Sequence, residues 1–280
     1  MKKAAAYLIA LACAALLPKA QLRAQTQSPT MRAWAILESN RDENSTEKRV
    51  QAVRVMALLP GDPRAIEFAQ TGLTDDKPEI RAASATSLGQ MHSTSSIPKL
   101  RALLDDKEPE VVLAAANALI ALKDPAAYEV FYELLTGERK PNKGMIASQM
   151  KTLKDPKKMA EMGFEEGIGF IPFASIGYGA FKALRTDDVS PVRAAAARIL
   201  VNDPDPNSAR ALVRATSDKS WIVRVAALEA IARRADPKLL DAIVPALLDD
   251  NLAVRCTASA AVIRLTALKD RAARNRPRAH

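Results

Sequence analysis

The sequence predicts an all-α protein built as an α-solenoid of stacked helical hairpins. A β-branched residue followed by arginine recurs at Ile80-Arg81, Val192-Arg193, Val223-Arg224 and Val254-Arg255. The last three arginines are 31 residues apart, and a fixed period of this size indicates a row of small supersecondary units rather than one globular core. Alanine is abundant and aromatic residues make up only 4% of the chain, which favours helices packed closely through small side chains.

Aspartate and proline mark where the predicted helices begin. Acidic pairs precede three of the arginine segments by about five residues, at Asp75-Asp76, Asp187-Asp188 and Asp249-Asp250. Aspartate at such a position can cap the free N–H groups of the following helix and complement its dipole. Asp-Pro pairs begin further units at Asp62-Pro63, Asp124-Pro125, Asp155-Pro156, Asp205-Pro206 and Asp236-Pro237. Proline at a first helical position loses no helix bond, so these boundaries are well defined.

Counting these signals gives about seven hairpins. The first helices are expected to begin near Thr30, Pro63, Ser96, Pro125, Pro156, Pro206 and Pro237. The second helices are expected to begin near Thr46, Lys77, Lys107, Asn142, Val189, Lys219 and Asn251. Neighbouring hairpins would share their apolar faces, and the first pair, with Trp34, and the last, ending near Leu268, are expected to cap the stack.

The unit Asp-x4-(Val/Ile)-Arg-x2-Ala-x3-Leu, closed by Asp-Pro, resembles a HEAT repeat. Its short period is especially similar to the HEAT-like repeats of the phycobilisome lyases. The resemblance implies antiparallel helix pairs in a right-handed superhelix of about seven HEAT-like hairpins. It also implies that each arginine pairs with an acidic group of its own or the adjacent unit. The expected ladder comprises Asp76, Arg81, Asp188, Arg193, Arg224, Asp250 and Arg255, and would be interrupted mid-chain where Val112 and Lys143 replace arginine.

The two ends of the chain differ from the repeats. Residues 1–24 combine a basic start with a short apolar stretch, which is typical of a secretory signal cleaved after Ala24, with Ala20 as a second candidate. Four of the cations behind the net charge of +9 lie in this leader. Residues 269–280 form a basic, disordered tail in this interpretation, and the solenoid of residues 25–268 is close to neutral. A near-neutral solenoid lacks the basic stripe that nucleic-acid binding requires.

One unit carries an insertion rich in glycine and phenylalanine at about residues 160–181. Gly and Pro at this density break a helix, and insertions in repeat proteins often lie on the binding face. Three interpretations remain open: local core, a partner or ligand site, and shallow membrane contact. The candidate partner-binding residues are Phe164, Phe170, Phe173, Tyr178, Phe181 and Trp221. Trp221 stands just before an arginine segment, where it would either cap a groove wall or serve as an exposed anchor.

Catalytic and metal-binding patterns have little support. The two histidines, His92 and His280, do not form a metal-ligand or triad pattern, so we expect no catalytic residue, metal site or cofactor. Cys256 would be the one cysteine left after signal cleavage, and we expect a buried, inert thiol.

These observations predict a non-enzymatic scaffold, periplasmic or secreted, that binds a protein or peptide along the concave face made by the second helices. The insertion would act as a clasp. The resemblance to phycobilisome lyases offers a rival, a bilin- or tetrapyrrole-binding protein, which an export signal argues against. We expect no nucleic-acid binding, and at most weak contact with a membrane.

Overall fold

The computed structural model describes residues 28–136 and 189–275, and within these ranges all regular structure is helical. The twelve α-helices are α1 (Pro29–Arg41), α2 (Thr46–Arg54), α3 (Pro63–Gly72), α4 (Pro78–Gln90), α5 (Ile97–Ala102), α6 (Pro109–Ala121), α7 (Ala126–Thr136), α8 (Ser190–Ile199), α9 (Pro206–Ala215), α10 (Trp221–Arg234), α11 (Leu240–Ile243) and α12 (Leu252–Arg274). The predicted all-α solenoid is confirmed.

Short 3-10 turns extend several helices, at Val55–Leu58, Thr94–Ser96, Leu103–Asp105, Leu200–Asn202, Pro237–Leu239 and Val244–Leu248. Each helix or its leading turn begins within two residues of the predicted start wherever that start lies in a described range. The physical reason is visible at α3, where Asp62 Oδ1 accepts a hydrogen bond from Ala65 N at 3.0 Å and Pro63 occupies the first turn. Asp205 caps α9 in the same way, accepting from Asn207 N at 2.8 Å.

The helices form hairpins of a first and a second helix, and the second helices stack side by side. Complete hairpins are α1–α2, α3–α4, α5–α6, α9–α10 and α11–α12, while α7 and α8 are single members of the two units interrupted by residues 137–188. Helix α4 packs between α2 and α6, and α10 packs between α8 and α12. The predicted fourth and fifth hairpins therefore lie partly outside the described residues.

Small side chains allow these close contacts. Gly89 lies where α4 crosses α6, and a Cβ atom added there would come within 2.7 Å of the Ala118 Cα. Alanines fill much of the remaining interface, for example Ala85, Ala115 and Ala226, each fully buried. The alanine-rich composition thus sets the spacing between neighbouring second helices.

The two ends of the chain pack against each other. Helix α12 contacts α10 on one flank and α1, with the end of α2, on the other. Arg264 Nη1 donates to the Leu58 carbonyl oxygen at 2.9 Å across this junction. The stack of second helices therefore runs α8, α10, α12, α2, α4, α6, an order that differs from the order along the chain.

The expectation that the first and last hairpins cap the stack is wrong. A terminal cap needs a polar outer face, but every residue of α12 from Cys256 to Ile263 is buried. Trp34 of α1 is also buried, with the Arg64 guanidinium 4.2 Å from its ring centroid. The described stack instead ends at α7 and α8, where exposed apolar side chains such as Tyr128 and Ile199 are found.

Replacing Gly89 by alanine should destabilise the protein by about 2 kcal/mol, because the added methyl group collides with the α6 backbone and forces the helices apart. Chemical unfolding measures this loss. Gln90→Ala, at an exposed neighbouring position, is the control and should change stability by less than about 0.5 kcal/mol.

The junction of the chain ends should control access to Cys256. This thiol is fully buried in α12, and burial raises its pKa to about 12, so it should not react with a thiol reagent in the folded protein. Leu37→Ala in α1 and Leu100→Ala in α5 remove equally buried side chains and should each cost about 2–5 kcal/mol. Helix α1 packs directly against α12, whereas α5 packs against α6, so Leu37→Ala should accelerate labelling of Cys256 beyond what its stability loss explains. Equal labelling rates in the two variants at matched stability would contradict a direct junction.

Candidate functional site

Most second helices leave one stripe of residues facing solvent, whereas α12 is buried from Cys256 to Ile263. In α4 this stripe comprises Glu79, Ala82, Thr86 and Gln90, which are wholly or partly exposed at helical spacing. We call the combined surface the second-helix face. It is defined, in stack order from α8 to α6, by Arg198, Arg233, Arg264, Arg54, Thr86 and Asn117, all exposed or partly exposed. The packing of α12 against the first hairpin joins the two halves of this face, and on α12 only residues outside Cys256–Ile263, such as Arg264, reach solvent.

An arginine ladder fixes the spacing of the hairpins beside this face. Arg81 Nε and Nη2 donate to the Asp106 carboxylate at 2.7 and 2.8 Å, and both side chains are only 9% exposed. Arg81 Nη1 donates to the backbone carbonyl oxygens of Asp75 and Asp76 at 2.8 and 3.3 Å. One guanidinium thus ties the loop of its own hairpin to the loop of the next.

The same arrangement recurs along the stack. The side-chain partners are Arg49 with Asp75 and Asp76, Arg193 with Asp218, and Arg224 with Asp249 and Asp250. Carboxylate pairing within one unit, as in Asp76–Arg81 and Asp250–Arg255, is not what the structure has. Arg255 Nη1 binds the carbonyl oxygens of Asp249 and Asp250 at 2.7 and 2.9 Å instead. The aspartates five or six residues before these arginines, such as Asp75 and Asp249, bind the arginine of the preceding hairpin instead. Asp188 lies outside the described residues.

The contact with Arg81 changes the pKa of the Asp106 carboxyl group. Burial raises the pKa of Asp106, but the hydrogen bonds from Arg81 and from the Glu108 backbone N–H outweigh it and bring the pKa below its ordinary value. The carboxylate is therefore ionised throughout the physiological range, and the ladder is fully formed there.

Three arginines cluster on the C-terminal half of the second-helix face. This arginine cluster consists of Arg198 on α8, Arg233 on α10 and Arg264 on α12. Burial lowers the pKa of both Arg198 and Arg264, and the charge of nearby Arg233 lowers each further, whereas Glu229 raises that of Arg198. Arginine stays protonated despite such shifts, so the cluster holds three positive charges close together.

The sequence-predicted binding residues are only partly described. Trp221 begins α10 and is 37% exposed, at the edge of its hairpin. Phe164, Phe170, Phe173, Tyr178 and Phe181 lie outside the described residues. The arginine cluster was missed from the sequence, although Arg233 and Arg264 share the 31-residue spacing of the ladder arginines and could have been found by that signal.

One cleft of about 370 Å³ opens between the last two described hairpins. Its walls include Asp218, Arg224 and Asp249, which the ladder already engages, so the lining is polar. A tetrapyrrole pocket is mostly apolar, which this cleft is not. Among the described residues no cluster of three or more histidine, cysteine or acidic side chains is placed to hold a metal ion. His92 is exposed in a turn after α4, at a positive φ of 53°.

Comparison with protein families decides the classification of these repeats. The sequence pattern of HEAT repeats matches residues 35–116, 73–148 and 179–264, which together cover most of the chain. The chain belongs to the HEAT-repeat family. No curated protein gives a significant match to this HEAT-repeat protein.

Solved structures with similar helical repeats include three of different kinds. Human deoxyhypusine hydroxylase in complex with glycerol is 19% identical, covering 85% of this chain and 97% of its own, with a TM-score of 0.32. The complex of CpcE and CpcF of phycocyanin lyase from Nostoc sp. PCC7120 is 19% identical over 88% of this chain and 95% of its own, with a TM-score of 0.32. A designed armadillo repeat protein is 15% identical over 85% of this chain and 100% of its own, with a TM-score of 0.25. These values carry no activity, substrate or partner over to the HEAT-repeat protein.

Removing the buried ion pair between Arg81 and Asp106 should destabilise the protein strongly and in a pH-dependent way. Arg81→Met leaves the Asp106 carboxylate buried without its partner, which should cost about 3 kcal/mol at pH 7. Because the folded pKa of Asp106 is depressed, the stabilisation is present above the unfolded pKa and is lost as pH falls through the folded pKa. Urea unfolding should therefore show a smaller difference in the free energy of unfolding between wild type and variant at about pH 3 than at neutral pH.

The exposed pair Lys48–Glu43, at 3.2 Å, supplies the control for this experiment. Both side chains are more than two-fifths exposed, so Lys48→Met should change stability by less than about 1 kcal/mol. An equal loss from Lys48→Met and Arg81→Met would show that the ladder is no stronger than an ordinary surface ion pair.

Proposed function

We propose that this HEAT-repeat protein is a non-enzymatic, exported scaffold that binds a protein or peptide partner along its second-helix face. The observation that carries this proposal is the row of stacked second helices, whose two blocks are joined where α12 packs against the first hairpin. Repeat proteins with extended exposed faces of this kind use them to bind other polypeptides.

The chemistry of the described residues supports a binding role over a catalytic one. The buried carboxylate of Asp106 and the buried guanidinium group of Arg81 are engaged with each other in the ladder. Cys256 is buried with a raised pKa, which disfavours the reactive thiolate. No described helix is long and apolar enough to span a bilayer. These observations support a role carried by shape and surface charge.

Two parts of the proposal concern segments outside the described residues. Residues 1–24 would direct export, giving a periplasmic or secreted protein, because their basic start and short apolar core are typical of a signal peptide. Residues 160–181 would act as a clasp on the partner, with their aromatic side chains as anchors. Aromatic residues are efficient anchors because they bury a large area at low entropic cost.

Site-specific photo-crosslinking tests the proposal in the native cell envelope. A photo-reactive phenylalanine analogue at Thr86, on the second-helix face, should give a discrete adduct with a partner polypeptide. The same analogue at Glu67, exposed on the first helix α3, is the matched control and should give none. Adducts at both positions, or at neither, would contradict partner binding on this face. Recovery of the full-length chain with residues 1–24 intact, and only in the cytoplasmic fraction, would contradict export.

A further inference from the structure

The arginine cluster is built into the repeat. Arg233 and Arg264 occupy the same position of their units, each nine residues after the ladder arginines Arg224 and Arg255. Their helices α10 and α12 pack side by side, so the two side chains emerge on neighbouring helices at a separation set by helix packing, roughly 8–10 Å between axes. Arg198 on α8 extends the group by one helix.

One carboxylate lies close to this cluster: Glu229, on α10 one turn before Arg233, raises the pKa of Arg198. Neither Arg233 nor Arg264 forms an ion pair within the part of the chain that the structure describes. Arg264 uses Nη1 for the Leu58 carbonyl, while its Nε is buried without a hydrogen-bond partner. The ladder arginines nearby are different, because Arg193 and Arg224 each engage a carboxylate.

Positive charge is not shared by all units at this repeat position. The equivalent residues in other units are Gln90 in α4 and Asn202 after α8, which are exposed, polar and neutral, and Leu58 after α2, which is buried. Arg233 is itself exposed. Its positive charge disfavours the protonated forms of Arg198 and Arg264, and so contributes to lowering the pKa of each. Arg233 is therefore a candidate for recognition, whereas Arg264 also contributes to the junction through its bond to Leu58.

We propose that the arginine cluster binds an acidic segment of the partner polypeptide, with carboxylates seated on Arg233 and Arg264. This inference rests on the proposed function and adds the chemical class of the partner. Guanidinium groups donate paired hydrogen bonds that match the geometry of a carboxylate, and such charge-assisted bonds are stronger than neutral ones. Partial burial strengthens them further, because the local dielectric is lower than that of water.

The remainder of the second-helix face favours a polypeptide over a nucleic acid. The stripes of α2, α4 and α6 begin with Glu47, Glu79 and Glu110, all exposed. A nucleic acid running along the face would bring its phosphates against these glutamates, whereas nucleic-acid binding proteins present a continuous basic stripe. A peptide with a short acidic stretch can place that stretch on the arginine cluster without bringing negative charge against these glutamates.

Fluorescence anisotropy with a labelled, alternating Glu-Ser peptide tests the proposal on the full mature chain. The wild-type protein should bind this peptide and not the matching Gln-Ser peptide. Arg233→Gln should weaken binding at least about tenfold, since a hydrogen bond to a charged group is lost. Arg233→Glu should abolish it. Arg264→Gln, whose folding is checked by its helical CD signal, should weaken binding to a similar extent.

Arg210→Gln and Arg210→Glu are the matched controls. Arg210 is exposed on the first helix α9, so these variants make the same change in net charge away from the second-helix face. They should bind the Glu-Ser peptide as the wild type does. Equal weakening by the Arg210 and Arg233 variants would reduce the effect to overall charge and overturn the proposal. Tighter binding of a single-stranded oligonucleotide than of the peptide, lost in Arg233→Gln, would replace it with a nucleic-acid site.

Failure of this inference can be told apart from failure of the proposed function. If the crosslink from Thr86 forms equally in wild type and in Arg233→Gln, the second-helix face binds a partner without using the cluster. In that outcome the scaffold function stands and the acidic-segment inference is wrong. If wild type fails to bind the Glu-Ser peptide, the inference is also overturned, whatever the crosslinking shows.

Discussion

Helix α12 is buried on all sides because α10 and α11 cover one flank and the first hairpin covers the other. This packing joins two blocks of repeats, residues 28–136 and 189–275, into one row of hairpins. Without it, the apolar surfaces of α1 and α12 would both face water, a large hydrophobic cost for a protein with small side chains in its interfaces. The same contact brings the two halves of the second-helix face together.

The interfaces along the row are not stabilised alike. Within each block, a ladder arginine binds a carboxylate of the following hairpin, so polar and apolar contacts reinforce each other. At the junction the ladder stops, because Arg255 binds only carbonyl oxygens of its own unit and Glu43, at the equivalent position of the first hairpin, pairs with Lys48. Apolar packing and the Arg264–Leu58 bond hold this interface. It is therefore the interface that depends most on hydrophobic burial, and least on charge.

Local signals in the sequence predicted where the helices begin but not how the hairpins are arranged. Asp-Pro pairs and the arginine segments locate helix starts closely, since capping and proline geometry act within a few residues. The junction is a contact between distant residues, which no local period reports. One clue was present: from Cys256 to Ile263 the last helix carries no charged residue, whereas an outer cap would alternate apolar and polar faces. The arginine cluster was missed for a related reason: the net charge was summed over the whole solenoid, which is near neutral, and such a sum does not show a local group of positive charges.

The closure of the row by its two chain ends has a consequence for biosynthesis. A linear repeat protein can fold one unit at a time as the chain emerges, since each unit needs only its immediate predecessor. Here Leu58 and Arg264 meet across 206 residues of sequence, so the first hairpin cannot complete its packing until the last helix has been made. Long-range closure of this kind delays the final step of folding and leaves the early part of the chain pliable in the meantime.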